Sequence, residues 1–361
     1  MDVESWVVEA PGQPMVRQVR SESPGAGEVL VETAACGVCH TDLAFFYDGV
    51  PTRHPFPLTL GHEISGRVVA AGVGADEWVG RAVIVPSIVP CGTCAACRAG
   101  HGQICPRQIF PGSDVHGGFG THLRVPAHGL CPVPDLSNPV LNRAGLDLSA
   151  LAVVADAVST PYQAIVRSGL SAGDVAVWVG VGGVGGFGAQ LAAALGAAVV
   201  AIDVDDERLA RFARYGVSLT LNASRGDAKE LRHAIRQLAD TTGVPTWRVK
   251  IFETSGQPAG QKLAFGLLGH GGLLSVVGYT PQTVEVRLSN LMALEATAQG
   301  TWGCSPELYP EVVDLALSGR ISVEPFIERQ PMSAINDVFA RLHLAPALNR
   351  IVLIPERLPP N

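Results

Sequence analysis

Charge is scarce in this chain: Asp, Glu, Lys and Arg make up only 16% of 361 residues, against 47% hydrophobic residues. That balance excludes a disordered, highly charged segment and leaves ample side chain for a core. The charge present sums to −7 at pH 7, so a broad basic face for nucleic acid is not expected. The opening stretch MDVESWVVEA is acidic and has no long apolar centre, which argues against a secretory signal and for a cytoplasmic location. Long hydrophobic runs are missing too. The most apolar region, 180–200, is interrupted by many glycines, which is unsuited to a membrane span. There is no internal repeat and no low-complexity tract. Without an export signal, the eight cysteines read as reduced thiols open to metal rather than as disulfides.

At 361 residues the chain exceeds the size at which one core stops growing, so two domains are expected. Residues up to about 155 are rich in glycine and proline, with short β-branched runs such as EVLVET, GRVVAAG, RAVIVPS and THLRVPA. Short strands closely spaced by turn residues predict an irregular β-barrel. From Ala150 the texture changes. LAVVADAVSTPYQAIVRSG has helical spacing on either side of Pro161 and ends at Gly169, a natural C-cap. Then DVAVWVG, AAVVAID, SLTLN, RVKIFETSG and GGLLSVVGY alternate with helix-like stretches such as DERLARFARYG and ELRHAIRQLAD. This alternation predicts βαβ units on a parallel sheet. Beyond Gly300 come two helix-like stretches and the strand-like NRIVLIP, a tail too short to be a domain and expected to return to the N-terminal part.

Between a predicted strand and a predicted helix, Gly180, Gly182 and Gly185 form a GxGxxG pattern. The first glycine permits the tight turn, the second lets the backbone approach a pyrophosphate, and the third lets helix pack on strand. The amides of Gly183 and Val184, at the helix start, would face the phosphates. Asp203 ends the next strand, 23 residues after Gly180. A carboxylate there accepts hydrogen bonds from ribose hydroxyls and repels a 2′-phosphate. Val204, Asp205 and Asp206 follow, so no cation adjoins it until Arg208, and this charge pattern favours NAD over NADP.

The run CGTCAACRAGHGQIC brings Cys91, Cys94, Cys97 and Cys105 close together. Four thiolates at such spacing can close a tetrahedral shell around Zn²⁺ with no open position, a structural site. An iron–sulfur cluster uses similar spacing, but nothing else in the chain suggests electron transfer. Upstream, Cys36 and Cys39 in CGVCHTDL read either as a redox pair or as sources of a metal ligand. His62 and Glu63 lie in GHEISGRVVAAGVGA, a glycine-punctuated strand segment.

GHE with Gly66 and Gly72, GVCHTD before it, four cysteines after it and then GxGxxG together resemble the zinc-dependent medium-chain alcohol dehydrogenases along nearly the whole chain. The resemblance implies an α/β protein. A Rossmann domain at 158–300, a doubly wound parallel sheet, would bind NAD, and a mainly β, GroES-like barrel domain at 1–157 and 301–361 would hold the catalytic zinc. It implies Cys39, His62 and Asp156 as catalytic zinc ligands; Asp156, in DAVSTPY, stands where cysteine is commonest. Exchanging thiolate for carboxylate keeps the ligand charge, and oxygen suits zinc. Glu63 would lie just behind the ligands or reach the metal intermittently. Cys36 occupies a position the family does not use for metal, and Cys131 and Cys304 read as packing residues.

The same resemblance gives Thr41 the first hydroxyl of a proton relay, His40 a place beside the pyrophosphate, Thr160 one near the nicotinamide, and Arg350 a cofactor phosphate. Many relatives end the relay in a histidine five residues after the first ligand, where this chain has Ala44. Three protein ligands leave one position open, and a metal there makes an alcohol ionise near neutral pH while hydride passes to nicotinamide. Within the family, ADAVSTPYQAIVRSGL and FPGSDVHGGFGTHLRVPAHGLCPVP most resemble 6-hydroxycyclohex-1-ene-1-carbonyl-CoA dehydrogenases. That implies a ring alcohol on a coenzyme A thioester, with Arg53, His54 and Arg124 as its phosphate contacts. A free allylic, aromatic or aliphatic alcohol is the alternative substrate, and zinc-promoted hydration of a conjugated carbonyl an alternative of another class. Relatives are commonly dimers or tetramers, so a homo-oligomer is expected.

Overall fold

The computed structural model describes residues 1–356, which fall into two units. One holds Met1–Ser159, Gly303–Gly319 and the chain from Val323 on; the other holds Thr160–Trp302 with Arg320–Ser322.

In the second unit the alternating runs become a parallel sheet of six strands. Across it the order is Val217–Asn222, Ala198–Asp203, Val175–Val179, Val249–Glu253, Leu273–Val276, Thr297–Gly300. The chain starts at the centre, builds to one edge, crosses back and builds to the other. This is the doubly wound order, whose reversal beside Val175–Val179 is where such sheets bind dinucleotides. Val175–Val179 is buried at every residue, as a central parallel strand must be. Trp178 stacks on Phe252 with ring centroids 4.3 Å apart, and Gly188 is small because a Cβ there would enter the indole. The helix Ala228–Thr241 starts with a capping box of Asp227 and Glu230 and buries Leu231, Ile235 and Ala239 along one face.

Thr297–Gly300, the sixth strand, has no counterpart in the sequence-based expectation. Its residues TAQG are largely exposed at a sheet edge, so neither an apolar run nor alternation marks them.

The first unit carries a sheet of seven strands, ordered Ile327–Pro331, Arg350–Ile354, Glu28–Gly37, Glu63–Ala71, Ala82–Val85 and Cys131–Pro132, with His122–Pro126 also paired to Glu28–Gly37. The four β-branched runs are all strands, and NRIVLIP returns to pair with Glu28–Gly37, Leu353 lying opposite Cys36. Val31, Ile64, Val83, Phe119 and Leu353 meet in its core. A separate two-stranded ribbon, Asp2–Val7 with Val16–Ser21, was not expected. Between Ala82–Val85 and His122–Pro126 the cysteine-rich segment forms only short turns, Ala95–Arg98 and Gly102–Ile104. No described helix is long and apolar enough to cross a membrane.

Candidate active site and metal centres

Strand Glu28–Gly37 leads directly into Cys39, which caps the helix His40–Tyr47 with an extended backbone. Gly37 pairs with Glu63 across the ladder, and a Cβ at Gly37 would run into the Glu63 carboxylate. This close approach sets His62 and Glu63 against the helix start. Asp156 follows the turn Ala150–Ala155. One donor atom from each of Cys39, His62, Glu63 and Asp156 lies within 4.8 Å of the others. Asp156 Oδ2 is 3.9 Å from Cys39 Sγ and 3.7 Å from His62 Nε2. A thiol, an imidazole and carboxylates converging in a largely buried place are the donor set of a catalytic zinc.

Sequence reasoning gave no role to Asp42, which is fully buried at this cluster. Its Oδ2 accepts from the Cys39 amide at 2.9 Å, and its Oδ1 accepts from the Gly61 amide at 3.1 Å and lies 3.2 Å from His62 Nδ1. With Nδ1 held, Nε2 is the ring nitrogen left to face Cys39 and Asp156. Burial opposes a charged ring, but Asp42, with Asp156 and Cys39, holds His62 well above the usual histidine range. The available signal was an aspartate three residues after a helix-capping cysteine, in position to reach back to the cap amide. Asp42→Asn keeps the shape but loses the charge, and should weaken zinc at this cluster by about 10- to 100-fold. A chelator-competition titration measures this; parental affinity would show that Asp42 does not orient the histidine.

Glu63 is buried and meets Arg350 in a two-pronged ion pair, with Nε donating to Oε2 at 2.9 Å and Nη2 donating to Oε1. Burial raises the Glu63 carboxyl, and Arg350 opposes that rise. Arg350, expected at a cofactor phosphate, therefore has a partner that the sequence did not reveal. Removing one member of a buried pair strands the other charge. Arg350→Met should thus cost about 3–5 kcal/mol in urea unfolding; a loss below about 1 kcal/mol would place the pair among weak surface bridges.

Thr41 Oγ1 lies 3.8 Å from Cys39 Sγ, while His40 is exposed in the helix's first turn. Cys36 is outside both metal-type clusters. Its Sγ fills space that a side chain at Gly61 or Gly118 would need, and burial drives its thiol well above the ordinary value, the reverse of a redox nucleophile. Cys131 and Cys304 are likewise buried thiols.

The second cluster gathers Cys91, Cys94, Cys97 and Cys105 with their sulfurs within 4.8 Å of one another. Cys94 Sγ is 3.4 Å from Cys97 Sγ and 3.7 Å from Cys105 Sγ. Amides point inward: Cys97 N donates to Cys94 Sγ at 3.5 Å, while Cys91 N and Arg107 N donate to Cys105 Sγ at 3.4 and 3.3 Å. The Thr93 amide draws Cys91 down to about 5, whereas burial and its thiol neighbours push Cys97 up to about 12. Four sulfurs with inward-facing amides fit a closed, structural zinc.

In the second unit, Gly180 has φ +88°, and a Cβ there would lie 2.6 Å from the Ser255 backbone. A Cβ at Gly182 would have nothing within 4 Å, so the backbone is open to an incoming group, while one at Gly185 would strike the Gly180 carbonyl. The helix Gly183–Ala194 begins here, which puts Gly183 and Val184 in its first turn. Asp203 accepts from the Val181 amide at 2.9 Å and the Val204 amide at 2.8 Å, with Arg208 at 3.7 Å. The cradle fits a dinucleotide. Thr160 is buried near the start of helix Ser159–Ser168.

The cations expected to hold a coenzyme A tail are engaged with acids. Arg53 lies 3.5 Å from Asp114, and Arg124 3.6 Å from Glu28 and 3.9 Å from Glu22. His54 Nδ1 lies 2.6 Å from its neighbour's carbonyl, that of Pro55. They do not form a free basic patch.

Comparison with known proteins agrees with this geometry. Residues 25–135 match the alcohol dehydrogenase GroES-like domain and residues 183–318 the zinc-binding dehydrogenase domain. An alcohol dehydrogenase of Geobacillus stearothermophilus is 30% identical over 94% of this chain and 94% of its own. An L-threonine 3-dehydrogenase of Xanthomonas campestris is 28% identical over 84% of this chain and 85% of its own. The crystal structure of the alcohol dehydrogenase from Aeropyrum pernix superposes with a TM-score of 0.84 at 30% identity, covering 98% of this chain and 100% of that one. With a Rossmann sheet, a GroES-like sheet and two zinc-type donor clusters, the chain belongs to the zinc-containing, NAD-dependent alcohol dehydrogenases.

Proposed function

We propose that this enzyme oxidises a small free alcohol to the carbonyl compound, with NAD taking the hydride. The observation that carries the reading is that donor atoms of Cys39, His62, Glu63 and Asp156 lie within 4.8 Å of one another, with Asp42 fixing Cys39 and His62. In this reading Cys39, His62 and Asp156 are the catalytic zinc ligands, and Cys91, Cys94, Cys97 and Cys105 hold the structural ion. A zinc ion supplies a Lewis acid that makes an alcohol hydroxyl acidic near neutral pH, and nicotinamide supplies the hydride acceptor. Cys39, His62 and Asp156 would hold the metal and orient the reacting group, with Cys39 and His62 buried. Glu63, paired with Arg350, adjusts the charge behind them, and Arg350 would also serve a cofactor phosphate. Thr41 takes the first hydroxyl position for the departing proton. With Ala44 five residues after Cys39, no histidine stands at that position to take the proton onward from Thr41.

In this reading His40 would serve the pyrophosphate and Thr160 the nicotinamide when the cofactor is bound. Gly180, Gly182, Gly183, Val184 and Gly185 cradle the phosphates, and Asp203 with Arg208 frames the adenosine ribose. We further infer a cytoplasmic homo-oligomer, a dimer or tetramer.

The relatives named above are named for alcohols or threonine, which supports a free substrate. A ring alcohol carried on coenzyme A is supported by sequence resemblance alone, and Arg53 and Arg124 already face carboxylates. No observation favours addition of water to a conjugated carbonyl. Reduction of NAD and NADP with a panel of free allylic, aromatic and aliphatic alcohols and their hydroxylated coenzyme A thioesters tests the reading. Higher kcat/KM with free alcohols and NAD is expected. Turnover confined to thioesters would overturn it.

A further inference from the structure

Asp156 brings a difficulty that a cysteine at its position would not. A thiolate offers one ligating atom, whereas a carboxylate offers two oxygens on a rotatable group, so a well-defined metal geometry requires one oxygen to be held back. The surroundings of Asp156 supply the restraint. The Ala155 carbonyl, joined to the Asp156 amide, accepts from Tyr309 Oη at 2.6 Å, Ser159 Oγ at 3.2 Å and the Ser87 amide at 3.3 Å. Tyr309 and Ser159 are fully buried and Ser87 is 1% exposed. The backbone at Asp156 is thereby pinned in a non-helical conformation, φ −144° and ψ −59°, by donors from three separate segments.

On the side chain, Ser87 Oγ donates to Asp156 Oδ1 at 3.4 Å, while Oδ2 is the oxygen facing Cys39 Sγ and His62 Nε2. Ser87 thus meets Asp156 through its own amide, by way of Ala155, and through its hydroxyl. The contact is long for a hydroxyl–carboxylate bond, yet its direction separates the two oxygens.

We propose that Ser87 is a positioning residue for the metal site: its hydroxyl occupies Asp156 Oδ1 and presents Oδ2 alone as the ligand atom. This rests on the reading of Asp156 as a catalytic zinc ligand. Ser87 also interacts with Tyr309, which itself holds the Ala155 carbonyl, so among the ligands its hydroxyl acts on Asp156. It is the device that lets a carboxylate stand where cysteine is commonest.

The test uses the full chain, stripped of the labile metal and titrated with zinc against a chelator, then with cobalt for its absorption spectrum. Ser87→Ala should bind zinc about tenfold more weakly and change the cobalt ligand-field bands, as loss of an outer hydrogen bond to a ligand does. Ser87→Thr, which keeps the hydroxyl, should retain parental affinity and spectrum. Asp156→Ala should lose much more affinity, and adding Ser87→Ala to it should change nothing further. Retention of the four-cysteine zinc in each variant checks the fold of the same unit. If Asp156→Ala weakens zinc but Ser87→Ala matches the parent, the positioning role is wrong and the ligand reading stands. If Asp156→Ala itself binds zinc normally, the ligand reading fails. Equal losses in Ser87→Ala and Ser87→Thr would assign the effect to packing and overturn the proposal.

Discussion

Cys39→Ser should reduce NAD-dependent alcohol oxidation by about 1,000-fold or more while leaving the unfolding midpoint within a few degrees of the parent. A Lewis acid that stabilises the charge developing on the substrate oxygen contributes several kcal/mol to the barrier, and each 1.36 kcal/mol is tenfold in rate. Serine keeps the size of the side chain, but its hydroxyl is a far poorer anionic ligand than a thiolate. The backbone role of residue 39 is unaffected, because its amide still donates to Asp42 as in the parent, at 2.9 Å. One zinc per chain should disappear and one remain. Steady-state kinetics, metal counting and a melting curve on one preparation measure all three. A variant retaining a tenth of the parental rate would remove Cys39 from the chemistry.

Cys94→Ser should do the opposite. Its sulfur lies against both Cys97 and Cys105 and accepts from the Cys97 amide, so its loss opens the tetrahedral shell. The cysteine-bearing stretch 91–105 has only the short turns Ala95–Arg98 and Gly102–Ile104, and the Val89–Ile109 bridge closes its base, so within the stretch the four sulfurs are the main means of fixing its shape. Structural zinc contributes about 10–16 kcal/mol of apparent binding energy in zinc-finger peptides. In a lobe anchored at both ends to a sheet, a smaller loss of about 3–5 kcal/mol is reasonable, equivalent to a melting point roughly 10 °C lower. At low temperature the remaining folded enzyme should turn over near the parental rate, since none of the four cysteines belongs to the catalytic cluster. Loss of rate without loss of stability would mean that the two centres are not divided as stated.

Much of this was legible because the chemistry lies in residue types whose spacing is set by local geometry. The four cysteines lie within fifteen residues, so their sulfurs can meet without help from distant chain. The strand–GxGxxG–helix–strand–Asp203 unit is one local motif, and the β-branched and apolar runs formed strands where expected. What stayed hidden is long-range. Arg350 and Glu63 are 287 positions apart, and no periodicity links a C-terminal arginine to a central strand. Asp42 sat in plain view within GVCHTD, yet only the fold shows that its other oxygen reaches Gly61 and His62. The Ser87 contact to Asp156 spans 69 positions and is equally silent in the sequence. Edge elements escaped for another reason. The strand Thr297–Gly300 and the ribbon strand Val16–Ser21 are mostly exposed, so burial leaves little apolar signature on them.

The proposed function gives the chemistry to one zinc ion and the shape of a lobe to the other. The most direct measurement is stepwise removal of metal from the full-length enzyme by a chelator, following zinc content, NAD reduction and the unfolding midpoint together. Loss of the first zinc should abolish turnover with the midpoint nearly unchanged, re-added zinc should restore it, and loss of the second should lower the midpoint sharply. Undiminished NAD reduction after the first zinc has gone would contradict the account.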